Sequence, residues 1–323
     1  MSLPILSSRT TADEVATTFS QEIAGKNVLI TGTSINGMGF EAARVIAKHA
    51  NLVVITGYNL ESLKLSEDAI KNDVPSANIR RFSLDLSSLT AVRKAAAEVN
   101  AYPEPIHVLI HNAAASIGPF KLTADKLESQ VATGHIGPFL LTKLLTPKLL
   151  AAATTSYTPR VVSISSNAHA AGSGVDFDTL GKPDAAKYTS LDAYFQTKSA
   201  NVLIALEISK RSKGAINAYS LHPGVVYTNL IQKEESIPIM QSSGILGPDG
   251  KPSTEKFEWK SIPQAAATIM AAAFDTRLND KPGAYLVDSA EANKEVAPHS
   301  SDPANAARLW EVTEKIIGET FGF

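Results

Sequence analysis

The stretch NVLITGTSINGMG, residues 27–39, decides the fold of this chain. An apolar run ends at Gly32, further glycines follow at 37 and 39, and a helical pattern, FEAARVIAKHA, starts at residue 40. Glycines between a strand and a helix let the backbone approach a phosphate closely. The helix N-terminus then offers free N–H groups and a partial positive charge. The pattern favours a dinucleotide-binding strand–turn–helix unit over a plain structural turn.

Apolar runs rich in valine and isoleucine recur along the chain, separated by helical patterns. The runs predict strands at 27–32, 52–57, 79–86, 106–113, 160–166, 216–223 and 283–287. The patterns between them predict helices at about 38–49, 60–72, 88–100, 123–151 and 191–213. Continuous apolar strands that alternate with helices indicate a parallel sheet buried on both faces. We therefore predict an α/β fold, a single doubly wound Rossmann domain with about seven parallel strands and helices on both faces.

Two segments lie outside this alternation. Residues 1–24 are predicted to form an N-terminal extension with a short helix, opened by a capping box of Thr11 and Glu14, and the main domain spans 25–323. Within it, residues 229–260 carry turn signals at GPDGKP and form an insertion that is well placed to cover a ligand. The apolar residues of this insertion suggest an apolar or aromatic substrate; they are Ile237, Ile239, Met240, Ile245 and Leu246.

Composition excludes several classes of protein. The formal net charge of −2 gives no electrostatic reason to expect nucleic acid or an anionic membrane as a partner. The chain has no cysteine, which excludes disulfides and thiolate chemistry and fits a cytoplasmic location. The N-terminus does not resemble a secretory signal. The most apolar later stretch, GPFLLTKLLTPKLLAAA, is interrupted by Lys143, Pro147 and Lys148, so no membrane span is predicted.

The stretch DAYFQTKSANVLIALE, residues 192–207, places Tyr194 and Lys198 four positions apart on a predicted helix, hence on one face. A free tyrosine has a pKa of about 10. A nearby ammonium favours the phenolate and lowers that pKa, which makes the phenol usable as a general acid or base for a carbonyl or alcohol oxygen. On spacing alone, a tyrosine and a lysine that merely cover a core are the more common case.

Five motifs stand in the order seen in one enzyme superfamily: TG…GMG, HNAA, SISS, YFQTK and HPGVV. From about residue 25 to the end, the chain resembles the short-chain dehydrogenases/reductases, in particular the branch similar to retinol dehydrogenases and the WW-domain oxidoreductase. The resemblance implies an NAD(P)(H)-dependent oxidoreductase that transfers a hydride between nicotinamide and an alcohol or carbonyl substrate. Tyr194 would exchange the proton, Lys198 would also hold the nicotinamide ribose, and Ser166 would orient the substrate oxygen, with Ser165 as the alternative serine.

The resemblance also implies a set of cofactor contacts. The residues expected at the pyrophosphate are Gly32, Ser34, Gly37, Met38 and Gly39; at the adenine, Asp85 and Leu86; at the ribose, Asn112 and Ala113; and at the carboxamide, Pro223, Val226 and Thr228. For Asp85, a helix cap at the DLSS sequence is an equal alternative.

Position 134 departs from the family pattern. In TGHIGPF, residues 133–139, Gly134 stands where many members carry an asparagine that steadies a water linking the lysine to solvent. A helical glycine costs about 1 kcal/mol relative to alanine, so helix stability does not explain it. A second water, His135 or Thr133 could replace the amide, or proton relay is impaired. The last case supports a different class of protein, an NADP-binding sensor or interaction module with little or no catalysis.

Cofactor preference depends on the end of the second strand. A carboxylate there accepts from the ribose 2′-OH of NAD, whereas arginine pairs with the 2′-phosphate of NADP. The chain has Gly57, Tyr58 and Asn59 at this point, neither acid nor base. The lack of a repelling carboxylate favours NADP(H) over NAD(H), and with NADPH a carbonyl reductase is the expected direction.

Other kinds of site are disfavoured. His107 and His111 lie about 13 Å apart if both are on one strand, too far to share a metal ion, so no metal is predicted. A serine hydrolase would need a G-x-S-x-G elbow, which is missing. A sugar-nucleotide epimerase could use the same tyrosine and lysine, with Lys233, Lys251 or Lys256 on the phosphates. The predicted partner is a small-molecule carbonyl or alcohol, and a homo-oligomer is compatible with the sequence.

Overall fold

A mixed sheet runs through the centre of the computed structural model, which describes residues 3–323. Within these residues the sheet has eight strands in the order β10-β9-β6-β5-β4-β1-β2-β3. A separate ladder pairs β7 with β8. The strands are β1 (Asn27–Thr31), β2 (Leu52–Gly57), β3 (Ile79–Ser83), β4 (Val108–His111), β5 (Arg160–Ile164), β6 (Asn217–His222), β7 (Val225–Val226), β8 (Trp259–Lys260), β9 (Tyr285–Val287) and β10 (Ala290–Glu291).

The doubly wound α/β fold is confirmed. All the neighbouring strands of the main sheet pair in parallel except β10, which returns antiparallel along β9. The reversal occurs at Asp288 and Ser289, both in the left-handed region with φ of 52° and 65°. The short edge strand β10 accounts for the difference between the eight strands of this sheet and the seven that the sequence predicted. A strand of two residues is too short to show a periodic pattern in the sequence.

Strand β1 pairs with β2 on one side and β4 on the other, so the chain moves outward in opposite directions from the middle of the sheet. In open α/β sheets, the crevice at such a reversal, at the carboxyl ends of the strands, is where ligands bind. The side chains of β1 alternate between two core layers, with Val28 and Ile30 in one and Leu29 in the other.

Helices cover both faces of the sheet. They are α1 (Ala12–Thr18), α2 (Ser20–Ile23), α3 (Met38–Ile46), α4 (Leu60–Asp73), α5 (Leu89–Asn100), α6 (Ser129–Val131), α7 (Gly137–Leu150), α8 (Ser190–Arg211), α9 (Ile237–Ser242), α10 (Ile262–Phe274), α11 (Pro298–Ser301) and α12 (Pro303–Ile317). Helices α1, α3, α4 and α10 contribute to one core layer, and α5, α7, α8 and α12 to the other. Among residues 3–323, none of these helices is both long and apolar enough to cross a bilayer.

The helix predicted over 123–151 starts later and is not regular. Glu128 caps it, with its carboxylate accepting from the backbone N–H of Gln130 and Val131. Residues Ala132–Ile136 then form a π-helical turn before α7 begins at Gly137. Single π-turns within α-helices occur often at functional sites. Helices α10 and α12 lie outside the predicted set, and every residue of α10 from Ala265 to Phe274 is buried, so it has no polar face to give a helical period.

The predicted capping box of α1 is confirmed. The Thr11 N–H donates to Glu14 Oε2 at 2.7 Å, and the Glu14 N–H donates back to Thr11 Oγ1 at 3.4 Å. Val15 and Phe19 are buried in the same core layer as Val28 and Ile30 of β1. This packing joins the segment to the body of the domain.

The insertion after β6 is closed by the ladder between β7 and β8, in which Val225 pairs with Trp259 and Val226 with Lys260. We call residues 227–258, between these strands, the lid. Its apolar side chains form a small cluster of their own around Ile117, Met240 and Leu246, and Tyr194 packs against this cluster. The ladder thus holds the lid beside the phenol of Tyr194.

Candidate active site

The glycine loop and the HNAA motif lie against each other at the carboxyl edge of the sheet. The Asn112 and Ala113 N–H groups both donate to Thr31 Oγ1 at 3.1 Å. The Asn112 side-chain amide donates to the backbone oxygens of Thr31, at 3.1 Å, and Gly32, at 2.7 Å. A Cβ at Gly32 would lie 2.7 Å from Ala113 Cα, and Gly32 has a φ of 72°, so only glycine fits there.

The N-terminus of α3 lies next to this contact. Gly37 is its N-cap residue and has no side-chain hydrogen bond to the helix, so side-chain capping does not occupy the first N–H groups. A Cβ at Gly39 would collide with the Asn112 amide. Because glycine has no Cβ, the start of α3 can approach the residue that follows β4 closely. The surrounding turn leaves Ser34 exposed, Met38 half-buried and Asn36 left-handed with a φ of 62°. This close-packed turn can accommodate a pyrophosphate.

Asp85 and Leu86 follow β3; Asp85 is exposed and Leu86 is buried. The Asp85 carboxylate accepts from Ser87 N at 2.9 Å and from Ser87 Oγ at 2.6 Å. The cap of α5 is Ser88, whose hydroxyl accepts from Ala91 N, so the alternative that Asp85 caps this helix is wrong.

At the end of β2, Tyr58 is 76% exposed. Asn59 caps α4, and its side-chain oxygen accepts from Ser62 N at 2.9 Å. Neither side chain brings a formal charge to this end of the cleft.

Residues Ser166, Tyr194 and Lys198 come together at the carboxyl end of β5. Thr189 caps α8 and begins the helix that carries the tyrosine and the lysine. The Tyr194 phenol lies next to the Ser166 side chain. Lys198 Nζ lies 5.2 Å from the centre of the Tyr194 ring. The three predicted side chains therefore form one group, next to the apolar cluster of the lid.

The two serines of SISS have separate contacts. Ser165 is buried, and its hydroxyl donates to the Lys198 backbone oxygen at 2.7 Å, joining β5 to α8. Ser166 instead caps the short 3₁₀ turn Asn167–Ala170 and faces the Tyr194 phenol. The geometry thus separates a structural serine from one that can contact a substrate oxygen.

The expectation that Lys198 lowers the tyrosine pKa is wrong for this arrangement. Burial raises the pKa of Tyr194, and the neighbouring Ser166 hydroxyl only opposes the rise. Burial also lowers the pKa of Lys198 to about 8. The reason is geometric, because Lys198 Nζ donates to the Ile164 backbone oxygen at 3.0 Å rather than to the phenol.

Asn201 is a residue that sequence reasoning missed. It lies one turn after Lys198 on α8 and is 7% exposed. Its side-chain amide donates at 3.1 Å to Ile164 O, the same oxygen that accepts from Lys198. The spacing of three positions on α8 puts the two side chains on one face and could have found it. Asn201 can keep this buried carbonyl satisfied if the lysine turns away.

Gly134 lies in the π-helical turn, against α8. A Cβ built there would overlap the γ-methyl of Thr197, which stands between Tyr194 and Lys198 in sequence. His135, named as a replacement for the family asparagine, donates to or accepts from Thr313 Oγ1 on α12 at 2.8 Å. Burial lowers the pKa of His135 to about 3, so it is neutral at physiological pH. Its hydrogen-bonding nitrogen is thus directed to α12.

The carboxamide residues follow β6. Pro223 and Val226 are buried, Thr228 is half-buried, and the Thr228 N–H donates to Val226 O at 3.0 Å. Just beyond them, the Asn229 side-chain amide donates to the Ile35 backbone oxygen at 2.7 Å. The lid therefore contacts the glycine loop directly.

The histidines of β4 and its approach have structural partners. His107 Nδ1 accepts from Asn27 N at 3.0 Å, and His111 Nε2 is bonded to Thr142 Oγ1 at 2.7 Å. Within residues 3–323, no three side chains of the histidine, aspartate and glutamate types converge as a metal site would require.

A cleft of about 220 Å³ lies at the opposite, amino edge of the sheet, with Tyr157, Arg160 and Asn279 among its lining. Arg160 there donates to the backbone oxygens of Ala272 and Asp275, at the C-terminal end of α10. Cations are stabilising at such helix ends, so the buried arginine has a structural role.

Comparison with known proteins agrees with this arrangement. The family model "short chain dehydrogenase" matches residues 26–176. The chain is 35% identical over 316 residues to short-chain dehydrogenase TIC 32 A, chloroplastic, of Brassica napus, covering 96% of this chain and 93% of the relative. It is 32% identical to human retinol dehydrogenase 13, over 92% of this chain and 86% of that protein. It is also 32% identical to the WW domain-containing oxidoreductase of Danio rerio, over 93% of this chain and 70% of that protein.

Among solved structures, an uncharacterised protein from Mycobacterium paratuberculosis superposes with a TM-score of 0.69 at 25% identity, over 93% of this chain and 96% of that one. The relatives confirm the branch that the motifs indicated. Over nearly its whole length, this chain belongs to the short-chain dehydrogenase family.

Proposed function

We propose that this chain is an NADP(H)-dependent oxidoreductase that interconverts a carbonyl compound and an alcohol, acting as a carbonyl reductase with Tyr194 as the general acid. One observation carries the proposal. Ser166 and Lys198 both lie beside Tyr194, with Lys198 Nζ 5.2 Å from the centre of its ring, at the same carboxyl edge of the sheet as the glycine loop. A proton donor, an oxygen-orienting hydroxyl and a dinucleotide-binding turn on one edge are what this reaction needs.

The residues fit a dinucleotide. Gly32 and Gly39 have no room for a Cβ, so the backbone can approach a pyrophosphate at the N-terminus of α3. The full set proposed to hold it is Gly32, Ser34, Gly37, Met38, Gly39, Asp85, Leu86, Asn112, Ala113, Tyr194, Lys198, Pro223, Val226 and Thr228. A nicotinamide bound there would supply or accept a hydride at the substrate carbon.

The raised pKa of Tyr194 keeps the phenol protonated at neutral pH. A protonated phenol suits reduction, in which the oxygen of the substrate must receive a proton. The Ser166 hydroxyl would orient that oxygen. Lys198 would assist after turning from Ile164 O towards the phenol, since an ammonium beside it favours the phenolate that remains.

The side chains of the lid indicate the kind of substrate that we propose. Ile117, Met240 and Leu246 are buried in one cluster against which Tyr194 packs. An apolar or aromatic group next to the reacting carbonyl would match these side chains by burying its surface among them.

The preference for NADP(H) rests on the end of β2. Tyr58 and Asn59 place no carboxylate there to repel a 2′-phosphate, and Tyr58 is exposed. The cytoplasmic location belongs to the same proposal and is tested by imaging a tagged chain in cells.

A second candidate is an NADP-binding sensor with little catalysis. It is favoured by the direction in which Lys198 points, towards Ile164 O, together with glycine at position 134. Intact Ser166 and Tyr194 count against it, because a protein that only binds cofactor has less need of both.

A paired titration separates these functions. Purified protein is titrated with NADPH and with NADH by tryptophan fluorescence or calorimetry. The samples are then mixed with a panel of ketones and aldehydes and followed at 340 nm, beside Tyr194→Phe. We expect tighter binding of NADPH and turnover that falls by about 10²-fold or more in the variant, as loss of a general acid does. Binding without turnover across the panel would favour the sensor, and binding of neither cofactor would reject both functions.

A further inference from the structure

The lid carries one lysine that is turned inward. Lys233 is half-buried, and its Nζ donates to Ser116 Oγ at 2.8 Å. Ser116 precedes Ile117 of the apolar cluster and follows Ala113 of the cofactor edge by three positions. The bond therefore spans from the lid to the loop after β4, beside the cluster that contacts Tyr194.

This ammonium has only a neutral oxygen as its side-chain partner. Within residues 3–323, no ion pair joins a carboxylate to Lys233 Nζ within 4.0 Å. The neighbouring Glu234 and Glu235 are exposed, and the Glu235 side chain packs against Gly118. Withdrawing a cation from water is unfavourable unless an anion compensates it. A half-buried lysine next to apolar side chains therefore favours an anionic ligand at this position.

A second polar group lies in the same turn. Ser236 is fully buried, and its hydroxyl is without a hydrogen-bond partner among the described residues. The Ser236 N–H donates to the Lys233 backbone oxygen at 2.8 Å, which closes the turn that carries both residues. A buried hydroxyl left unpaired is costly, so a ligand oxygen here would satisfy it.

The other lysines of the lid differ. Lys251 has a side chain that is 80% exposed and lies 3.8 Å from Asp249, and Lys256 is exposed. Lys233 is thus the inward-facing member of the three lysines that the sequence offers for an anionic group.

We propose that the lid binds a carboxylate on the substrate through the Lys233 ammonium, in the same turn as the unpaired Ser236 hydroxyl. The substrate class is then an apolar carbonyl compound that bears a carboxylate at some distance from the reacting carbon. This inference rests on the proposed function, because the cluster beside Lys233 is taken as the substrate pocket.

Matched substrates test it. We would compare nonanal with 9-oxononanoate, and 4-isopropylbenzaldehyde with 4-carboxybenzaldehyde, by kcat/KM with NADPH. The carboxylate member of at least one pair should be preferred by about tenfold or more in the wild-type chain, as expected for a hydrogen-bonded charge pair. Lys233→Met should abolish the preference by lowering kcat/KM for the carboxylate member alone.

Two control variants isolate the charge. Ser116→Ala removes the hydrogen bond that holds Lys233 but leaves the ammonium, so the preference should persist. Lys251→Met removes an exposed lysine of the same lid and should leave both members of a pair unchanged. Equal kcat/KM values within both pairs, or a loss in Lys233→Met that is equal for both members, would overturn the proposal.

Binding measurements separate this inference from the proposed function. Calorimetry with 9-oxononanoate and with 4-carboxybenzaldehyde, in the presence of NADP⁺, requires no turnover. Binding that is lost in Lys233→Met, without reduction of any compound, would reject the reductase and retain the anion site. Reduction of the neutral compounds alone would reject the anion site and retain the reductase. Weakened NADPH binding in Lys233→Met with unchanged substrate preference would assign the ammonium to a cofactor phosphate and overturn the substrate assignment.

Discussion

The γ-methyl of Thr197 occupies the space that a side chain at Gly134 would need. Thr197 is buried on α8 between the tyrosine and the lysine of the site, and its hydroxyl donates to Ala193 O at 2.7 Å. The glycine in the π-helical turn is therefore a packing partner of this threonine. An asparagine at position 134 and a threonine at position 197 are alternatives, since both cannot fill the same volume.

Restoring the family asparagine should accordingly harm this chain. We expect Gly134→Asn to lower the free energy of unfolding by about 1–3 kcal/mol, the usual cost of overpacking a tight core. Thr197→Ser removes only the γ-methyl and keeps the hydroxyl, so the double variant should recover most of the loss. Urea unfolding of the four proteins of this cycle measures the coupling. Additive effects would contradict direct contact between the two positions.

Asn201 should control how freely Lys198 can turn to the phenol. In Asn201→Leu, Ile164 O would have only the lysine as its side-chain donor, and leaving a buried carbonyl unpaired costs about 1–3 kcal/mol. The lysine should then stay on Ile164 O. We expect the pKa of Tyr194 to be about one unit higher than in the wild-type chain, because a lysine that is held on Ile164 O can no longer turn part of the time to the phenol. Difference absorbance at 295 nm against the Tyr194→Phe background measures this pKa directly.

Neighbouring groups do not obscure that titration. The Tyr194 phenol titrates in the alkaline range, where His222, whose pKa burial lowers to about 4, is already neutral. Burial also raises the pKa of Tyr285, but this residue is present in the Tyr194→Phe background and subtracts out. Lys198 itself titrates at about 8, which a Lys198→Met background identifies. Ser209 lies on the same helix as Asn201, and Ser209→Ala, which removes a buried hydrogen bond to Ala218 O on β6, is the matched control. A pKa shift of equal size in that control would point to general loosening of α8.

Burying Lys198 should cost stability at neutral pH. Its pKa is lowered from 10.5 to about 8, so between these values the unfolded chain binds a proton that the folded chain does not, and stability rises with pH. Below pH 8 the penalty is present in full. Lys198→Met should therefore raise the free energy of unfolding at pH 7, by up to about 3 kcal/mol, and by less at pH 10.

Urea unfolding at both pH values tests this, with Lys210→Met as the control. Lys210 lies on the same helix with a side chain that is 64% exposed, and we expect little change in it at either pH. A less stable Lys198→Met at pH 7 would show that its hydrogen bond to Ile164 O outweighs the cost of burial.

The contact between Asn229 and Ile35 should slow release of the cofactor. The amide joins the lid to the glycine loop at 2.7 Å. Removing one hydrogen bond typically costs about 0.5–1.5 kcal/mol, so Asn229→Ala should weaken NADPH binding by about two- to tenfold, mainly through faster dissociation. Stopped-flow displacement of NADPH measures the rate. An unchanged rate, with Asn229→Asp also unchanged, would mean that this contact does not limit release.

Much of the site could be predicted from the sequence because its parts are local. The glycines at 32, 37 and 39 stand between a strand and a helix, and the structure brings them against HNAA as that order requires. The capping box at Thr11 follows from a short spacing, as does the placement of Tyr194 and Lys198 on one helix face. Ser166 was assigned through the family resemblance, and only the folded chain brings it beside them. The buried helix α10 was not predictable in this way, because a helix buried on every side shows no amphipathic period.

The sequence by itself determined the order of strands and helices, and hence the edge of the sheet at which the motifs meet. These properties depend on residues near each other in the chain, through hydrophobic period, capping and glycine conformation. Only the tertiary structure decided where Lys198 points, that Asn201 shares its acceptor, and that Thr197 fills the space at Gly134. Those outcomes depend on burial and on distances between α8, β5 and the π-helical turn, which no local pattern of residues records.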